Sequence, residues 1–269
     1  MRAREVFPNA PLEFVAAEMR FPYAPRIGRN ETFDRLVELL ADLFPIPERD
    51  EQQSMTFAPG SAPKAENSVA YRLLARDKRS SVTVSHSNAS LEVTNYVEYE
   101  EFRALFERTL SALDELRVVV GVERLGLRFI DEVRVPGVTS PLDWRGYISD
   151  ELLGPLVMSE FGEISMLEGK LHLNTGRDTR LALRYATLFG SGIVGGGPLR
   201  RRHTPDPGHF FAIDADSYLE PSDILDFSIP SLLSQLDKLH EPIGDVFHTS
   251  ITDRLKNEVL RKQPEGERE

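Results

Sequence analysis

The run Gly190-Ser191-Gly192-Ile193-Val194-Gly195 has the glycine spacing of a dinucleotide-binding fingerprint. That spacing binds pyrophosphate only where a helix begins at its end and points backbone amides at the anion. Here Gly196, Gly197 and Pro198 follow, which resist a helix, and no Walker-type lysine is present. A mobile glycine loop is therefore expected rather than a nucleotide site. Directly after it, Arg200, Arg201, Arg202 and His203 form a local basic run that could close over a phosphate or an acidic partner. The alternative is a solvated loop.

Other chemistry is harder to assemble. The chain has six histidines, but His240 and His248 are eight apart, and the zinc-helix pattern needs two histidines four apart with an intervening glutamate. His209 with Asp214 and Asp216 could converge on a metal at a strand end, although surface placement is the expected outcome, so no metal and no cofactor are assigned. No glycine-x-serine-x-glycine elbow occurs, and no cysteine is available as nucleophile, thiolate ligand or disulfide partner. The adjacent carboxylates Asp131-Glu132 and Glu100-Glu101 diverge on a strand or helix and cannot serve one centre as acid and base.

A second set of cations comes from an echo. Glu18-Met19-Arg20-Phe21, Gly126-Leu127-Arg128-Phe129 and Ala182-Leu183-Arg184-Tyr185 each place an apolar residue, an arginine and an aromatic in order. In strands this parity turns Leu125, Leu127 and Phe129 to the core and Arg20, Arg128 and Arg184 to the other face. There the planar guanidinium groups could take carboxylate or phosphate. Cross-strand pairing with Glu18, Glu92 or Glu132 is the competing and favoured expectation. On that basis Arg128 is partly structural, and Arg128→Glu is expected to do more harm than Arg201→Glu.

The elements that must position these residues follow from periodicity. Leu12 to Phe21 alternates as a strand with Glu13, Val15, Ala17, Met19 and Phe21 inward. Asn30 opens a helix that ends before Pro45. Pro45 to Asn67 lacks any period and predicts a long loop. Val69 to Arg76, Ser81 to His86 and Ser90 to Tyr96 predict an antiparallel meander, followed by a helix from Tyr99 to Leu116 and a strand from Val122 to Val135. Pro136 to Pro141 offers a division between halves at residues 1–138 and 139–269. Short helical turns, then strands near Ile164 to Leu173, Arg180 to Leu188 and His209 to Asp214, fill the second half. Ser228 to Arg261 is helical, with Pro242 expected to bend or break it, and the tail from Pro264 is expected to be disordered. The predicted class is α+β: two halves with mainly antiparallel sheets, helices on one face and a carboxy-terminal helical pair.

Three stretches carry a family resemblance: Asn9-Ala10-Pro11-Leu12 leading into Glu18-Met19-Arg20-Phe21; Leu125-Gly126-Leu127-Arg128-Phe129-Ile130-Asp131; and Leu239-His240 followed by Phe247 and Ser250-Ile251-Thr252-Asp253. Together they resemble a sporadically distributed family of prokaryotic proteins of about this length with no assigned activity. The resemblance covers nearly the whole chain and brings no catalytic residues. Genes so distributed often sit in defence or toxin–antitoxin loci, so it implies a role of that kind.

The composition, 41% hydrophobic and 28% charged, is that of an ordinary globular chain. Neither a signal-peptide apolar stretch nor a membrane-spanning run is present, so a cytoplasmic protein is expected. A net charge of −11 opposes general attraction to nucleic acid or anionic lipid. The expected function is a non-enzymatic binding or interaction protein, a component of a prokaryotic defence or toxin-neutralising system. The alternative is an enzyme or binder of a phosphorylated or nucleic-acid ligand working through residues 200–203. The apolar surplus from Leu232 to Leu260 predicts a protein partner or a homo-oligomer through the terminal helices.

Overall fold

A computed structural model describes residues 5–56, 64–194 and 197–262. The fold is α+β, with nine strands in one antiparallel sheet. In chain order the first half contributes β1 (Leu12–Arg20), α1 (Asn30–Leu40), β2 (Ile46–Thr56), β3 (Lys64–Leu74), β4 (Ser80–Ser85), β5 (Asn88–Val93) and α2 (Tyr99–Leu116). The second half contributes β6 (Arg124–Val133), α3 (Asp150–Leu153), β7 (Glu168–Asn174), β8 (Thr179–Gly190), β9 (Gly208–Leu219), α4 (Ile229–Ser250) and α5 (Asp253–Leu255). The order across the sheet is β2-β3-β4-β5-β1-β6-β9-β8-β7.

That order gives both halves one plan: a strand, a helical connection, an antiparallel meander, then a long helix. In each, the opening strand returns beside the last strand of its own meander. The two opening strands, β1 and β6, then pair with each other at the centre, Val15 opposite Phe129 and Met19 opposite Leu125. The repeated plan thus restarts at β6, ahead of the proline-flanked stretch at 136–141, and β6 pairs with β9 beyond that stretch, Phe129 opposite Ala215, so the sheet runs unbroken across it.

Alternation decides which face is covered. Val15, Ala17 and Met19 of β1, Leu125, Leu127 and Phe129 of β6, and Phe211, Ile213 and Ala215 of β9 all point one way and are buried. Helices close over that face. The Phe33 ring of α1 stacks on Tyr71 of β3 at 4.3 Å, and His240 of α4 lies 5.6 Å from Phe129. Each fully buried leucine, isoleucine or phenylalanine there stabilises the fold by roughly 1.5–3 kcal/mol. Between the two long helices, Asp237 of α4 accepts from Tyr99 Oη and from Arg103 Nε of α2, both at 2.9 Å. This link fixes the helices' relative register.

Two expectations need correction. The aperiodic stretch from Pro45 to Asn67 contains β2 and the start of β3, paired from Ile46–Leu74 to Thr56–Lys64. An edge hairpin that is polar in sequence carries no alternation to reveal it, so propensity is overridden by pairing. Pro242 does not break the helix, because α4 runs continuously through it from Ile229 to Ser250 and the chain leaves the helix at Ile251. Proline costs a helix one backbone hydrogen bond, and Leu239 and Ile243, buried on either side, hold α4 on the sheet. The apolar residues expected at an intermolecular contact, among them Leu232, Leu236, Leu239, Leu255 and Leu260, are buried within this chain. The tail from Pro264, and Gly195 and Gly196 of the glycine run, lie outside the described residues. No described helix is long and apolar enough to cross a membrane.

Candidate functional site

The second face of the sheet has no helix on it among the described residues. The strand arginines are there, as parity requires: Arg20 pairs across β1–β6 with Arg124, Ala16 with Arg128, and Arg184 of β8 sits opposite Asp214 of β9. Arg128 binds Asp214 with two parallel hydrogen bonds, Nε to Oδ1 at 2.7 Å and Nη2 to Oδ2 at 2.8 Å. Arg184 Nη1 donates to the same Oδ2 at 3.2 Å. Arg20 takes Glu18 at 2.7 Å, and Arg124 bridges Glu18 at 3.1 Å and Asp216 at 3.3 Å while lying over the Tyr218 ring. Arg128 and Arg184 thus pair across strands with Asp214 in place of Glu92 or Glu132, and Arg124 with Glu18 and Asp216, while Arg20 takes Glu18 from its own strand.

The pairing leaves cations in excess. Arg128 and Arg184 share the single carboxylate of Asp214, and each keeps 43% of its side-chain surface exposed. Lys170 of β7 lies next in the same row, opposite Arg184, and exposed Arg180 is two rows away, opposite Asn174 and 3.7 Å from Glu220. Asp214 holds Arg128 above the ordinary guanidinium range, because its hydrogen bonds favour the charged form. On a chain of net charge −11, this open face is a local basic field.

The long β8–β9 connection straps one end of it. Arg200 N donates to Lys78 O at 2.7 Å, and Thr94 Oγ1 donates to Arg200 O at 2.5 Å, which carries the connection across to the β3–β4 turn. Arg201 does not reach solvent. Its Nη1 and Nη2 grip both oxygens of Glu132 at 2.9 and 2.7 Å, and Nη2 lies 3.0 Å from Glu13. The Arg201 and Glu132 side chains are only 4% and 0% exposed. The amides of Ile193 and Val194 donate to the same Glu132 oxygen at 2.8 and 3.2 Å. The glycine run therefore does present amides to an anion, and that anion is Glu132. Burial pushes the Glu13 carboxyl above its ordinary range, with Arg201 opposing and Glu132 adding to the rise.

Arg200, Arg202 and His203 stand apart from that buried pair, with exposed side chains on the strap. A cavity of about 600 Å³ opens inside the strap, lined by Gly192, Leu199, Arg200, Arg201 and Thr204 among others. His209 packs edge-on against Phe189 at 5.1 Å, while Asp214 and Asp216 are taken by arginines. Among the described residues no three histidines or carboxylates gather as a metal site. Asp131 and Glu132 diverge to opposite faces, as neighbours on a strand must.

Glu13 was expected inward with Val15. A register shift between Leu12 and Phe14 frees it to meet Arg201 instead. Glu13 and Arg124 are the site residues that sequence patterning misses. Arg124 could have been found, since it lies four residues before Arg128 and so shares its face.

Gly192 tests the strap. Its φ is +141°, and a β-carbon there would collide with Arg201 Nη1 and lie 2.6 Å from Glu132 Oε2. Gly192→Ala is expected to lower stability by about 1–3 kcal/mol through backbone strain, measured by urea unfolding. An unchanged midpoint would mean the strap refolds around the methyl at no cost. No protein-family model matches the chain, and no curated protein matches it.

Proposed function

We propose that this protein is a non-enzymatic binding component whose recognition surface is the open face of the sheet, and that its partner is an acidic protein segment. The observation that carries this is the shared use of Asp214 by two half-exposed arginines. Two guanidinium groups on one carboxylate leave a positive charge facing solvent, already oriented by a rigid strand pair, so little ordering entropy is lost when an acid docks. A role in neutralising a toxin or in defence would employ such a surface, and the resemblance noted from the sequence supports it.

The test uses a fluorescein-labelled decaglutamate peptide and, in parallel, a single-stranded oligonucleotide. Decaglutamate should bind the wild type, and Arg128→Gln/Arg184→Gln, which keeps hydrogen-bond donors beside Asp214, should weaken binding at least tenfold. Added salt should weaken binding, because the attraction is between exposed charges. Equal binding by the double variant would overturn the assignment. So would preferential oligonucleotide binding lost on substituting Arg200 and Arg202, or turnover of a nucleotide, ester or nucleic acid abolished by one substitution.

A further inference from the structure

We infer that the free edge of β7 is a docking site for an extended segment of a partner protein, added as a tenth strand, in which acidic and apolar residues alternate. β7 is the last strand of the sheet, and among the described residues no backbone pairs with its outer edge. Outward-pointing amides and carbonyls on such an edge are a template for another strand.

The residues of β7 specify what that strand must carry. Side chains alternate, so Gly169, Leu171 and Leu173 lie on the helix side of the sheet, and Glu168, Lys170 and His172 lie on the open side. On the helix side, register places Leu171 opposite Leu183 and Leu173 opposite Leu181. Leu183 and Leu181 are buried, but Leu171 is 45% exposed, because the helical layer stops short of this strand. The segment leading into β7 adds exposed Met166 and Phe161. On the open side, exposed Lys170 and His172 stand in rows with Arg184 and Ala182. A neighbouring strand would therefore set apolar side chains beside Leu171 and Leu173 and acids beside Lys170 and His172, as cross-strand pairing rewards.

Charge argues against a second copy of this chain as the occupant. Antiparallel pairing of β7 with itself centred on Leu171 puts Lys170 across from His172, and centred on Lys170 it puts two lysines face to face; centred on Gly169 it would pair Lys170 with Glu168, but only three residues of each strand then overlap. A strand from a different protein with acids opposite Lys170 and His172 and a neutral or basic residue opposite Glu168 meets neither conflict. The assignment extends the binding role proposed above and fails separately from it, because decaglutamate reads the open face and not the strand edge.

A displayed library of random octapeptides is selected on the full-length protein. Enriched sequences should alternate Asp or Glu with Val, Ile, Leu, Phe or Tyr. Selection on Lys170→Glu/His172→Glu should replace the acids at those alternate positions with Lys or Arg. The odd-numbered residues of β7 turn their amides to β8 and the even-numbered ones turn theirs outward, so a synthetic peptide of the wild-type consensus should bind at least tenfold more weakly to His172→Pro, whose missing outward amide and fixed φ spoil the edge. Thermal unfolding of the charge-reversed variant, altered only at exposed positions, shows that its selection is made on folded protein. No enrichment, enrichment without alternation, or the same acidic preference from both proteins would overturn the assignment. Dimerisation abolished by His172→Pro, with no peptide selected, would overturn it in favour of self-pairing.

Discussion

Arg201→Met is expected to cost the fold about 3–5 kcal/mol, against about 1 kcal/mol or less for Arg128→Met. The Glu132 carboxylate is fully buried and Arg201 nearly so, so removing the guanidinium strands a charge that neither water nor a second strong partner can satisfy. Arg134 is the nearest substitute, at 3.7 Å from Glu132. Arg128 is half in solvent, and when it is lost Arg184 still holds Asp214. Removing both partners with Glu132→Leu/Arg201→Met should not restore stability fully, since the amides of Ile193 and Val194 would then lose their acceptor. Urea denaturation of the three variants decides it, and equal losses for Arg201→Met and Arg128→Met would show that the strap does not depend on this pair. The ranking reverses the one expected from sequence, where Arg128 had the structural role and Arg201 the solvated one.

Asp131→Asn is expected to stabilise the protein above neutrality and to flatten its pH dependence. Asp131 lies on the helix-covered face in a row with Leu12, Ile213 and Tyr185. Burial pushes its carboxyl up to about 8, and the nearby Glu13 adds to the rise. Unfolded, the same carboxyl titrates near about 4. Between these values the folded protein keeps a proton that the unfolded chain releases, so stability falls as pH rises, by about 1.4 kcal/mol per pH unit. The stabilising effect is fully present below the unfolded value and gone above pH 8, a total on the order of 5 kcal/mol. The asparagine variant has no proton to lose. Unfolding curves for the two proteins should therefore converge in acid and separate through pH 5–8, and parallel curves across that range would sink the assignment of this proton to Asp131.

How legible these features were depended on whether alternation survived in the residues. In β1, β6 and β8 apolar residues alternate with arginines, so the inward side of each strand, and the common face of Arg20, Arg128 and Arg184, could be read directly, although Ile130, Glu132 and Ala182 on the second face are buried too. β2 reads as a loop because its residues, such as Glu48, Arg49, Asp50 and Glu51, are polar on both parities, and only pairing with β3 makes it a strand. The buried role of Arg201 was illegible for a different reason. Its partners, Glu132 and Glu13, lie 69 and 188 positions earlier in the chain, and the backbone shift that frees Glu13 leaves no trace in composition. Asp131 had a trace: a carboxylate at an inward position between Phe129 and Val133 is a conflict of pattern, and such conflicts mark perturbed groups.

The meeting of the two opening strands at the centre of the sheet has a consequence for synthesis. β1 emerges first and finds its neighbour β5 within the next eighty residues, yet its other side stays bare until β6 has left the ribosome. In that interval the first half carries a bare edge whose unpaired amides and carbonyls belong to Phe14, Ala16, Glu18 and Arg20, next to the apolar side chains of Val15, Ala17 and Met19. The hydrogen-bonding pattern of that edge suits any strand in the cell, and a foreign strand pairing there would block β6. The arrival of β6 removes the hazard, so the second half acts toward the first as a chaperone that never dissociates.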